Sequence, residues 1–583
     1  MFLPTTKQDI NKLGWQKLDV IIVTGDVYID SYYDGAAVIG RVLESQGWKV
    51  GIISQPDLEN DDIMKLGEPR LFWGVTAGCV DSMVANYTAL KKKKRSDDLT
   101  PGGENNRRPD RATIIYTNLI RRLFKNTVPI ILGGIEASLR RIAHYDYWSD
   151  KIRRSVLFDA KADALVYGMG EKTIIEIADK ISKNENWKDI RGLCYTASEN
   201  LPKDYIEIPS FDEASKDKVK FAEMFETFYK NNDAFNAKGL LQKYDNRYLV
   251  QNPPQFLPSS EELDKIYSLP FKRDAHPFYK EQGKIKALET IQFSITSHRG
   301  CYGECNFCSI AVHQGRRIVS RSIDSILEDA KEITKQKDFK GYISDIGGPT
   351  ANMFDSGCKV RNDKELCPDK RCVYPTVCKA LINNHNSQTE LLEKIRKING
   401  IKKVFVSSGI RYDLIVEDKK NGERYLYDIV QHHVSGQMKI APEHTNNNVL
   451  DIMGKNETYL IEFKKKFDEL SKKIGKKQFL TYYFIAAHPG CSEGEMKELS
   501  NFLRDELRIN PEQVQIFTPT PSTYSTLMYY TGFNPLSDKK VFVERDLVKK
   551  RRQKEIINNK IHVLHTNKKN TSKSYKSKFN DSF

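Results

Sequence analysis

Three cysteines near the middle of the chain stand at a spacing that suits metal chemistry. They are Cys301, Cys305 and Cys308, and they form a C-x-x-x-C-x-x-C pattern. Three thiolates are one too few for a closed tetrahedral zinc site or for a fully ligated iron–sulfur cluster. On one tight loop they fit a 4Fe–4S cluster in which one iron keeps an open position. A structural zinc site with a distant fourth ligand is the alternative.

The residues before the cysteines predict where the loop lies. Ile291, Phe293 and Ile295 alternate with other residues as the apolar positions of a strand do. The loop is therefore expected at the carboxyl end of a strand, where catalytic groups collect in barrels of alternating strands and helices. Gly300 and Gly303 have no side chain, so the backbone can approach a cluster closely at these positions.

The cysteine spacing, with the aromatic Phe307 before the last cysteine, resembles the motif of the radical S-adenosylmethionine (radical SAM) superfamily. The resemblance implies that the cysteines hold a 4Fe–4S cluster whose fourth iron takes the amino and carboxylate groups of SAM. It also implies a one-electron reductant, such as flavodoxin or ferredoxin. The electron would cleave SAM to methionine and a 5′-deoxyadenosyl radical, which abstracts hydrogen from a substrate that the resemblance does not identify.

Strand and helix patterns alternate beyond the cysteine loop. Further strands are predicted at 341–346, 402–406, 437–440, 479–485 and 513–517. Together with the strand before the cysteines they predict an α/β domain at 286–535. Its six strand–helix units indicate a (βα)6 partial TIM barrel of the radical SAM type, and its open side would admit a larger substrate.

Glycine and polar residues follow several of these strands and are candidates for binding SAM. Gly347 and Gly348 leave backbone carbonyls free to meet an ammonium group. The resemblance implies a Gly-Gly-Glu-like motif here for the amino group of SAM, although Pro349 replaces the glutamate. Arg411 could pair with a carboxylate of SAM or of a substrate. The resemblance also makes Glu443 the candidate neighbour of the ribose or the sulfonium. No catalytic side chain is identified.

A second group of cysteines follows the Gly-Gly turn. Cys358, Cys367, Cys372 and Cys378 stand within 21 residues, at a spacing that matches no zinc ribbon. Four thiols in a basic loop punctuated by prolines predict a second metal site, either an auxiliary iron–sulfur cluster or structural zinc. The alternative is a group of reduced thiols or two local pairs.

The first third of the chain has the pattern of a parallel sheet with helices between its strands. Strands are predicted at 20–26, 49–53, 71–75, 129–134 and 164–168, which indicates a doubly wound, Rossmann-like domain at 1–190. This domain resembles the cobalamin-binding-like domain of many radical SAM enzymes. Cobalamin itself is not expected, because the segment 30–35 lacks the histidine of the D-x-H-x-x-G motif. The Pro- and Lys-rich segment 191–285 is expected to connect the two domains.

Composition limits the class of protein. The chain has 583 residues, no apolar run long enough for a membrane helix and no signal-peptide start. Its clustered cysteines favour metal ligands in a reducing cytoplasm over disulfides. From Lys539 to Phe583 there are 14 Lys and Arg against 4 Asp and Glu, so this tail carries +10 of the net +15. The tail, from residue 536, is expected to be disordered, and contact with nucleic acid through it is not favoured.

Several motifs together resemble the YgiQ (UPF0313-type) family of bacterial radical SAM proteins. Besides the cysteine triad and the four-cysteine insert they are Thr24-Gly25-Asp26, Pro101-Gly102-Gly103 and the segment 347–353. The resemblance implies a radical SAM enzyme with an unidentified substrate. One alternative is methylthiolation or methylation of RNA or protein, with the second cysteine group as sulfur source or auxiliary cluster. Another is a non-enzymatic iron–sulfur protein that carries electrons, senses redox state or binds a partner.

Overall fold

The computed structural model describes residues 1–360, 367, 371–456 and 458–558. These residues form a large mixed sheet with helices on both faces, followed by an open barrel of parallel strands. None of the helices in these ranges has the length and apolar character needed to cross a lipid bilayer.

The N-terminal sheet is built on five parallel strands whose residues are almost all buried. Across the sheet they lie in the order Val50–Ser54, Val20–Thr24, Phe72–Thr76, Ile130–Leu132 and Ala164–Val166. In chain order this is 2-1-3-4-5, the order of a flavodoxin-like doubly wound sheet. The predicted doubly wound fold is confirmed, because continuous apolar runs form strands that are covered on both faces.

Helices cover the two faces of this sheet. Alternate strand residues point to opposite sides, so Ile21 packs in one apolar core and Ile22 in another. The helices of the N-terminal half are Lys7–Lys12, Gly35–Ser45, Ser82–Asn86, Ala112–Leu123, Gly134–Leu139, Val156–Ala160, Glu171–Ser182, Phe211–Lys216, Lys218–Lys230, Ser260–Tyr267, Pro277–Lys280 and Leu288–Ile291.

The segment 191–285 is more than the connecting region that we expected. It extends the sheet to nine strands, with Leu193–Ala197, Arg247–Gln251, Leu240–Tyr244 and Ile206–Ile208 added in that order beyond Ala164–Val166. The expectation was wrong because these strands lie at the outer part of the sheet and carry polar residues such as Lys243 and Glu207 on exposed positions. Such strands lack the apolar runs that mark the central ones.

The second half of the chain confirms the predicted partial barrel. Its parallel strands are Ser294–Thr296, Asp345–Gly347 with Tyr342–Ile343, Lys403–Val404, Gln437–Glu443, Phe479–Ala486 and Gln513–Ile516. A parallel bridge between Ile410 and Ile440 joins the third strand's extension to the fourth strand. The carboxyl ends of the strands therefore meet at one mouth.

The helices of the second half pack around these strands over one apolar core, except that Ile310–His313 and Tyr524–Thr531 pack in a core of the N-terminal half. They are Ile310–His313, Ile323–Thr334, His385–Arg396, Tyr412–Glu417, Gly422–Asp428, Asn447–Met453, Leu460–Ile474, Glu493–Phe502 and Tyr524–Thr531. Ser322 caps the helix that starts at Ile323, as predicted, because its hydroxyl accepts a hydrogen bond from the amide of Ser325 at 3.1 Å.

The expected disordered tail needs correction over its first part. Residues Leu547–Asn558 form a helix that packs on the barrel helix Glu493–Phe502. Its side chain Lys550 is buried and donates to the hydroxyl of Tyr529 at 2.8 Å. Composition misled here, because the buried positions of this helix are partly polar. The remainder, 559–583, lies outside the described residues.

Candidate cluster site at the barrel mouth

The three predicted cluster cysteines lie in the loop that follows strand Ser294–Thr296. Two of their sulfurs surround Gly303: a Cβ atom at that glycine would stand 3.2 Å from Sγ of Cys301 and 3.9 Å from Sγ of Cys305. The amide of Cys308 donates to the carbonyl of Cys305 at 3.0 Å. The spacing thus winds the three cysteines into one compact turn.

Gly300 fixes how this turn begins. Its φ is +85°, and a Cβ atom there would stand 1.8 Å from the carbonyl oxygen of Arg317. The next amide, of Cys301, donates to the carbonyl of Gly315 at 3.1 Å. The loop is therefore pressed against the returning chain at 315–317, and only a residue without a side chain fits at position 300.

The thiols are close enough to influence one another's ionisation. Burial, together with the neighbouring thiols of Cys305 and Cys301, raises the pKa of Cys308 to about 12. Burial likewise raises the pKa of Cys301. Neighbouring thiolates repel each other in a buried site unless a cation compensates them. Metal ligation supplies that compensation, since the thiolate is the form that binds a metal.

Arg411 provides a cation beside this loop. Its Nη1 would be 3.0 Å from a Cβ atom at Gly303, and its Nε lies 3.0 Å from a carboxylate oxygen of Asp413. Arg411 therefore reaches the cysteine loop from the end of the third strand region. The carboxylate that pairs with it in this structure belongs to Asp413, two residues further along the same chain.

Glu443 lies at the same site on an irregular stretch of the fourth strand. The register of the strand shifts between Ile440 and Glu443, and Glu443 has a φ of +68°. This backbone conformation is unfavourable in energy for any residue other than glycine. Burial raises the pKa of the Glu443 carboxyl group. The charge of Lys455, whose Nζ lies 3.7 Å from the carboxylate, acts in the opposite direction and limits this rise. The Glu443 carboxylate also lies close enough to Cys308 to raise the pKa of that thiol.

The Gly347-Gly348 turn meets the cysteine loop from the second strand. A Cβ atom at Gly348 would stand 2.7 Å from Nε2 of His298, so the glycine makes room for that ring. Just beyond, the hydroxyl of Thr350 lies 3.5 Å from Sγ of Cys301. The structure thus brings the glycine pair, Arg411 and Glu443 to one mouth with the three cysteines.

Within the described ranges, no three His, Cys, Asp or Glu side chains form a group that could hold a metal ion. The side chains of such a group would share one ion. In a 4Fe–4S cluster, by contrast, each cysteine binds its own iron.

The second cysteine group lies beside the first. Cys358 is on the short strand Gly357–Cys358, and the amide of Cys378 donates to the carbonyl of Cys372 at 2.8 Å. Burial raises the pKa of Cys372 to about 12, and the thiols of Cys378, Cys367 and Cys358 add to the shift. The other three thiols therefore lie near Cys372, and no disulfide joins the four cysteines.

A small apolar cluster joins the two cysteine groups. Tyr302, Val373 and Leu414 are buried together, and both Cys301 and Cys372 pack against them. Glu304, inside the cysteine loop, also raises the pKa of Cys372 by its charge. The four-cysteine insert is thus built onto the loop that carries the triad.

The sequence reasoning missed two residues of the site. Lys455 comes from the loop after helix Asn447–Met453 and has no local signal, because only the fold brings it to Glu443. His298 had a local signal in the sequence, because it is an imidazole at the end of the strand that leads into the cysteines. Two other histidines, His444 and His488, are buried and hydrogen-bonded through Asn446 and Ser525 respectively.

Comparison with known protein families accounts for most of the chain. Residues 2–294 match the model described as "Radical SAM N-terminal", and residues 295–503 match that of the "Radical SAM superfamily". Residues 512–563 match a domain of unknown function, DUF3362.

Similar proteins cover nearly the full length. A UPF0313 protein of Fusobacterium nucleatum is 56% identical over 562 residues, which are 96% of this chain and 99% of the relative. A UPF0313 protein of Thermotoga neapolitana is 52% identical, over 95% of this chain and 98% of its own length. Among solved structures, the radical SAM methyltransferase TsrM from Kitasatospora setae, with cobalamin and a 4Fe-4S cluster bound, aligns with a TM-score of 0.51 at 14% identity. The alignment covers 88% of this chain and 78% of TsrM, and it shows a shared fold.

Proposed function

We propose, from the premise that this chain belongs to the UPF0313 family of radical SAM enzymes, that Cys301, Cys305 and Cys308 bind its 4Fe–4S cluster. The observation that carries this assignment is the arrangement of the sulfurs of Cys301 and Cys305 around Gly303, with Cys308 on the same turn and Arg411 beside them. When bound, the cluster supplies the electron that cleaves SAM to methionine and a 5′-deoxyadenosyl radical.

The chain's own residues have three tasks at this site. The guanidinium of Arg411, held by Asp413, stabilises the negative charge of the thiolates. Gly347 and Gly348 expose backbone groups at the mouth, where carbonyl oxygens can accept hydrogen bonds from the ammonium group of SAM. Glu443, kept in place by Lys455, faces the same space with a hydrogen-bond acceptor for the ribose or a negative charge for the sulfonium.

Cleavage of SAM by the reconstituted protein tests this function. Anaerobic protein reduced with dithionite is expected to form 5′-deoxyadenosine, measured by liquid chromatography with mass spectrometry. Replacing Cys301, Cys305 and Cys308 with alanine together is expected to abolish the product and to lower the iron by about four atoms per chain. The matched control is Cys194→Ala, which removes a buried thiol in the N-terminal sheet. Equal product from the triple variant and the wild type would refute the assignment.

The second cysteine group is proposed as a second metal centre. The mutual influence of the four thiols at Cys372, and the apolar cluster that ties them to the first loop, support this proposal. An iron–sulfur cluster suits four thiolates that do not converge on one ion, whereas structural zinc would require the four thiols to move closer together. The proximity of the two groups favours a role that serves the first site, as an electron relay or as a brace for the loop.

Metal analysis tests the second centre. Replacing Cys358, Cys372 and Cys378 with alanine is expected to lower the iron by about four atoms per chain, or the zinc by about one, while SAM binding stays. Unchanged iron and zinc contents in this variant would contradict the proposal of a second metal centre. Mössbauer spectra of the wild type identify the centre when iron is lost.

Three further expectations follow from the assignment. A low-potential one-electron donor, such as flavodoxin or ferredoxin, reduces the cluster in this proposal, and the free thiols support a location in the reducing cytoplasm. Cobalamin is not part of the proposal, because the segment Asp30 to Gly35 offers no imidazole. Incubation with cobalamin followed by gel filtration should leave no cobalt on the protein.

A further inference from the structure

A cavity of about 520 Å³ separates the N-terminal sheet from the mouth of the barrel. Its N-terminal wall is one face of the sheet between the helices Gly35–Ser45 and Glu171–Ser182, with Ile22 and Ile131 among its apolar residues. On the barrel side the Gly347-Gly348 turn and His298 line it, so it adjoins the proposed site of radical formation. A volume of this size suits a small molecule rather than a protein or nucleic acid segment.

The position of the cavity is the one that ligands take in sheets of this kind. In the strand order 2-1-3-4-5, the direction in which successive strands are added reverses between the parallel strands Val20–Thr24 and Phe72–Thr76. The loops that follow these two strands therefore run to opposite faces of the sheet and leave a crevice between them. Gly35 starts the helix after the first of these strands and lines the cavity. Gly133, after strand Ile130–Leu132, lines it too. A Cβ atom at either glycine would meet no atom within 4 Å, so both positions face open space.

One imidazole faces the cavity with an unused nitrogen. Nδ1 of His313 is buried without a hydrogen-bond partner in the described part of the chain. The ring of His298 lies between the hydroxyl of Ser297, 2.8 Å from its Nδ1, and the backbone of Thr350, which opposes the lowering of its pKa by burial. Nδ1 of His313 is therefore the nitrogen left to a polar group of a ligand.

The charges around the cavity exclude an anionic occupant. Its lining contains no lysine, and its arginine, Arg299, is paired with Glu171 at 2.5 Å. The lining carboxylate of Asp345 accepts from the amide of Ser407 at 2.7 Å and adds negative charge. A phosphate or a sulfonate would meet no unpaired cation there, and its burial would cost free energy.

We propose that this cavity binds the substrate of the radical, and that the substrate is an uncharged, flat, largely apolar small molecule carrying a hydroxyl or N–H group. That the bound molecule is the substrate rests on the proposed function. Its chemical class rests on the cavity alone. The apolar sheet face contacts the body of the molecule, while Nδ1 of His313 accepts a hydrogen bond from its polar group. RNA is excluded as the molecule that occupies this cavity.

Three naphthalenes of similar shape test the ligand class. In equilibrium dialysis with the anaerobically reconstituted protein, 2-naphthol is expected to bind. 2-Methoxynaphthalene, which lacks the donor, should bind about tenfold more weakly, the effect of one unmade buried hydrogen bond. 2-Naphthalenesulfonate should not bind in the cavity. Tighter binding of the sulfonate than of the naphthol, at a site that the next variants block, would overturn the proposal.

Plugging the cavity tests its location. Gly133 has an extended backbone, so Gly133→Leu introduces a side chain without strain and is expected to weaken 2-naphthol binding at least tenfold. Gly35→Leu blocks the opposite wall and gives a second test if the first variant does not fold. Gly494→Leu, on an exposed helix start, is the matched control and should bind like the wild type.

The two proposals fail separately in this experiment. If 5′-deoxyadenosine forms but Gly133→Leu and Gly35→Leu bind 2-naphthol as tightly as the wild type, the cavity proposal is wrong. If the variants lose 2-naphthol while no protein cleaves SAM, the radical function is wrong and the ligand site stands. His313→Phe should bind 2-naphthol and 2-methoxynaphthalene equally, and a preserved preference would contradict the hydrogen bond to His313.

Discussion

At the scale of single residues, the conformation of the cysteine loop depends on a glycine. Gly300 has a positive φ and lies against the carbonyl of Arg317, so Gly300→Ala must displace the loop. We expect the variant to lose about four iron atoms per chain after reconstitution, because Cys301 moves with the displaced backbone. Iron per chain measured by mass spectrometry gives the result.

A matched glycine separates displacement from backbone strain. Gly315 has a φ of +95°, but a Cβ atom there would meet only Leu257, at 3.6 Å. Gly315→Ala therefore carries the left-handed penalty of about 1–2 kcal/mol without the collision. It should keep its iron. Equal iron in both alanine variants would show that the approach at Gly300 does not position the cysteines.

The cysteine spacing was sufficient to predict a compact site, because eight residues of one loop carry all three thiols. Site residues that come from distant strands were harder to predict from the sequence. Arg411 and Glu443 could be chosen as strand-end residues, but the pairing of Arg411 with Asp413 depends on the backbone of that turn. Lys455 could not be chosen at all, since only the closing of the barrel brings it to Glu443.

At the scale of elements, burial decides which segments the sequence reveals. The strand Val20–Thr24 is buried at every position, and its apolar run predicts it directly. The strand Leu240–Tyr244 includes the exposed Lys243, and the helix Leu547–Asn558 buries Lys550 and Gln553. Polar residues at buried or edge positions weaken the periodic pattern, so both elements were taken for connecting or disordered chain.

Lys550 makes the docking of the last helix sensitive to pH. Burial lowers its pKa to about 8, with Lys91 and Arg545 adding to the shift. Because the folded state favours the neutral amine, the Lys550 contribution to stability is full above the unfolded pKa of about 10.4 and is lost as pH falls to about 8. From pH 7 to pH 10 the wild type should therefore gain on the order of 2 kcal/mol relative to Lys550→Met.

Urea unfolding followed by circular dichroism at both pH values measures this difference. The exposed neighbour Lys549 supplies the reference, and Lys549→Met should follow the wild type at each pH. If Lys550→Met and the wild type change in parallel between the two pH values, the lysine is charged in the folded protein and the docking argument fails.

At the scale of the whole molecule, a buried ion pair connects the two domains beside the site. Glu171 opens the helix after the fifth parallel strand, and Arg299 lies two residues before Cys301. Both side chains are 7% exposed. Tyr267 accepts a further hydrogen bond from Arg299 at 3.1 Å. The N-terminal domain thus holds the start of the cysteine loop.

Removing the carboxylate should loosen this connection. Glu171→Gln leaves the Arg299 charge buried without its partner, which costs about 3 kcal/mol in the free energy of unfolding. Glu176→Gln, on the exposed side of the same helix, should change it by less than about 0.5 kcal/mol. Thermal unfolding of the two variants measures the difference, and equal midpoints would mean that the ion pair does not join the domains.

The two domains also explain why the sequence predicted the fold better than the cavity. Periodicity and spacing predict elements within one domain, whereas the cavity exists only where two domains meet. His298 and Gly133 are far apart in sequence and share the cavity only in the folded protein.

The central claim is that one iron of the cluster keeps an open position for SAM. Electron paramagnetic resonance of the dithionite-reduced protein, recorded with and without SAM, tests it most directly. We predict a 4Fe–4S signal whose g values shift when SAM is added, and no SAM-dependent shift in the variant that lacks Cys301, Cys305 and Cys308. A cluster signal that SAM leaves unchanged would contradict the claim.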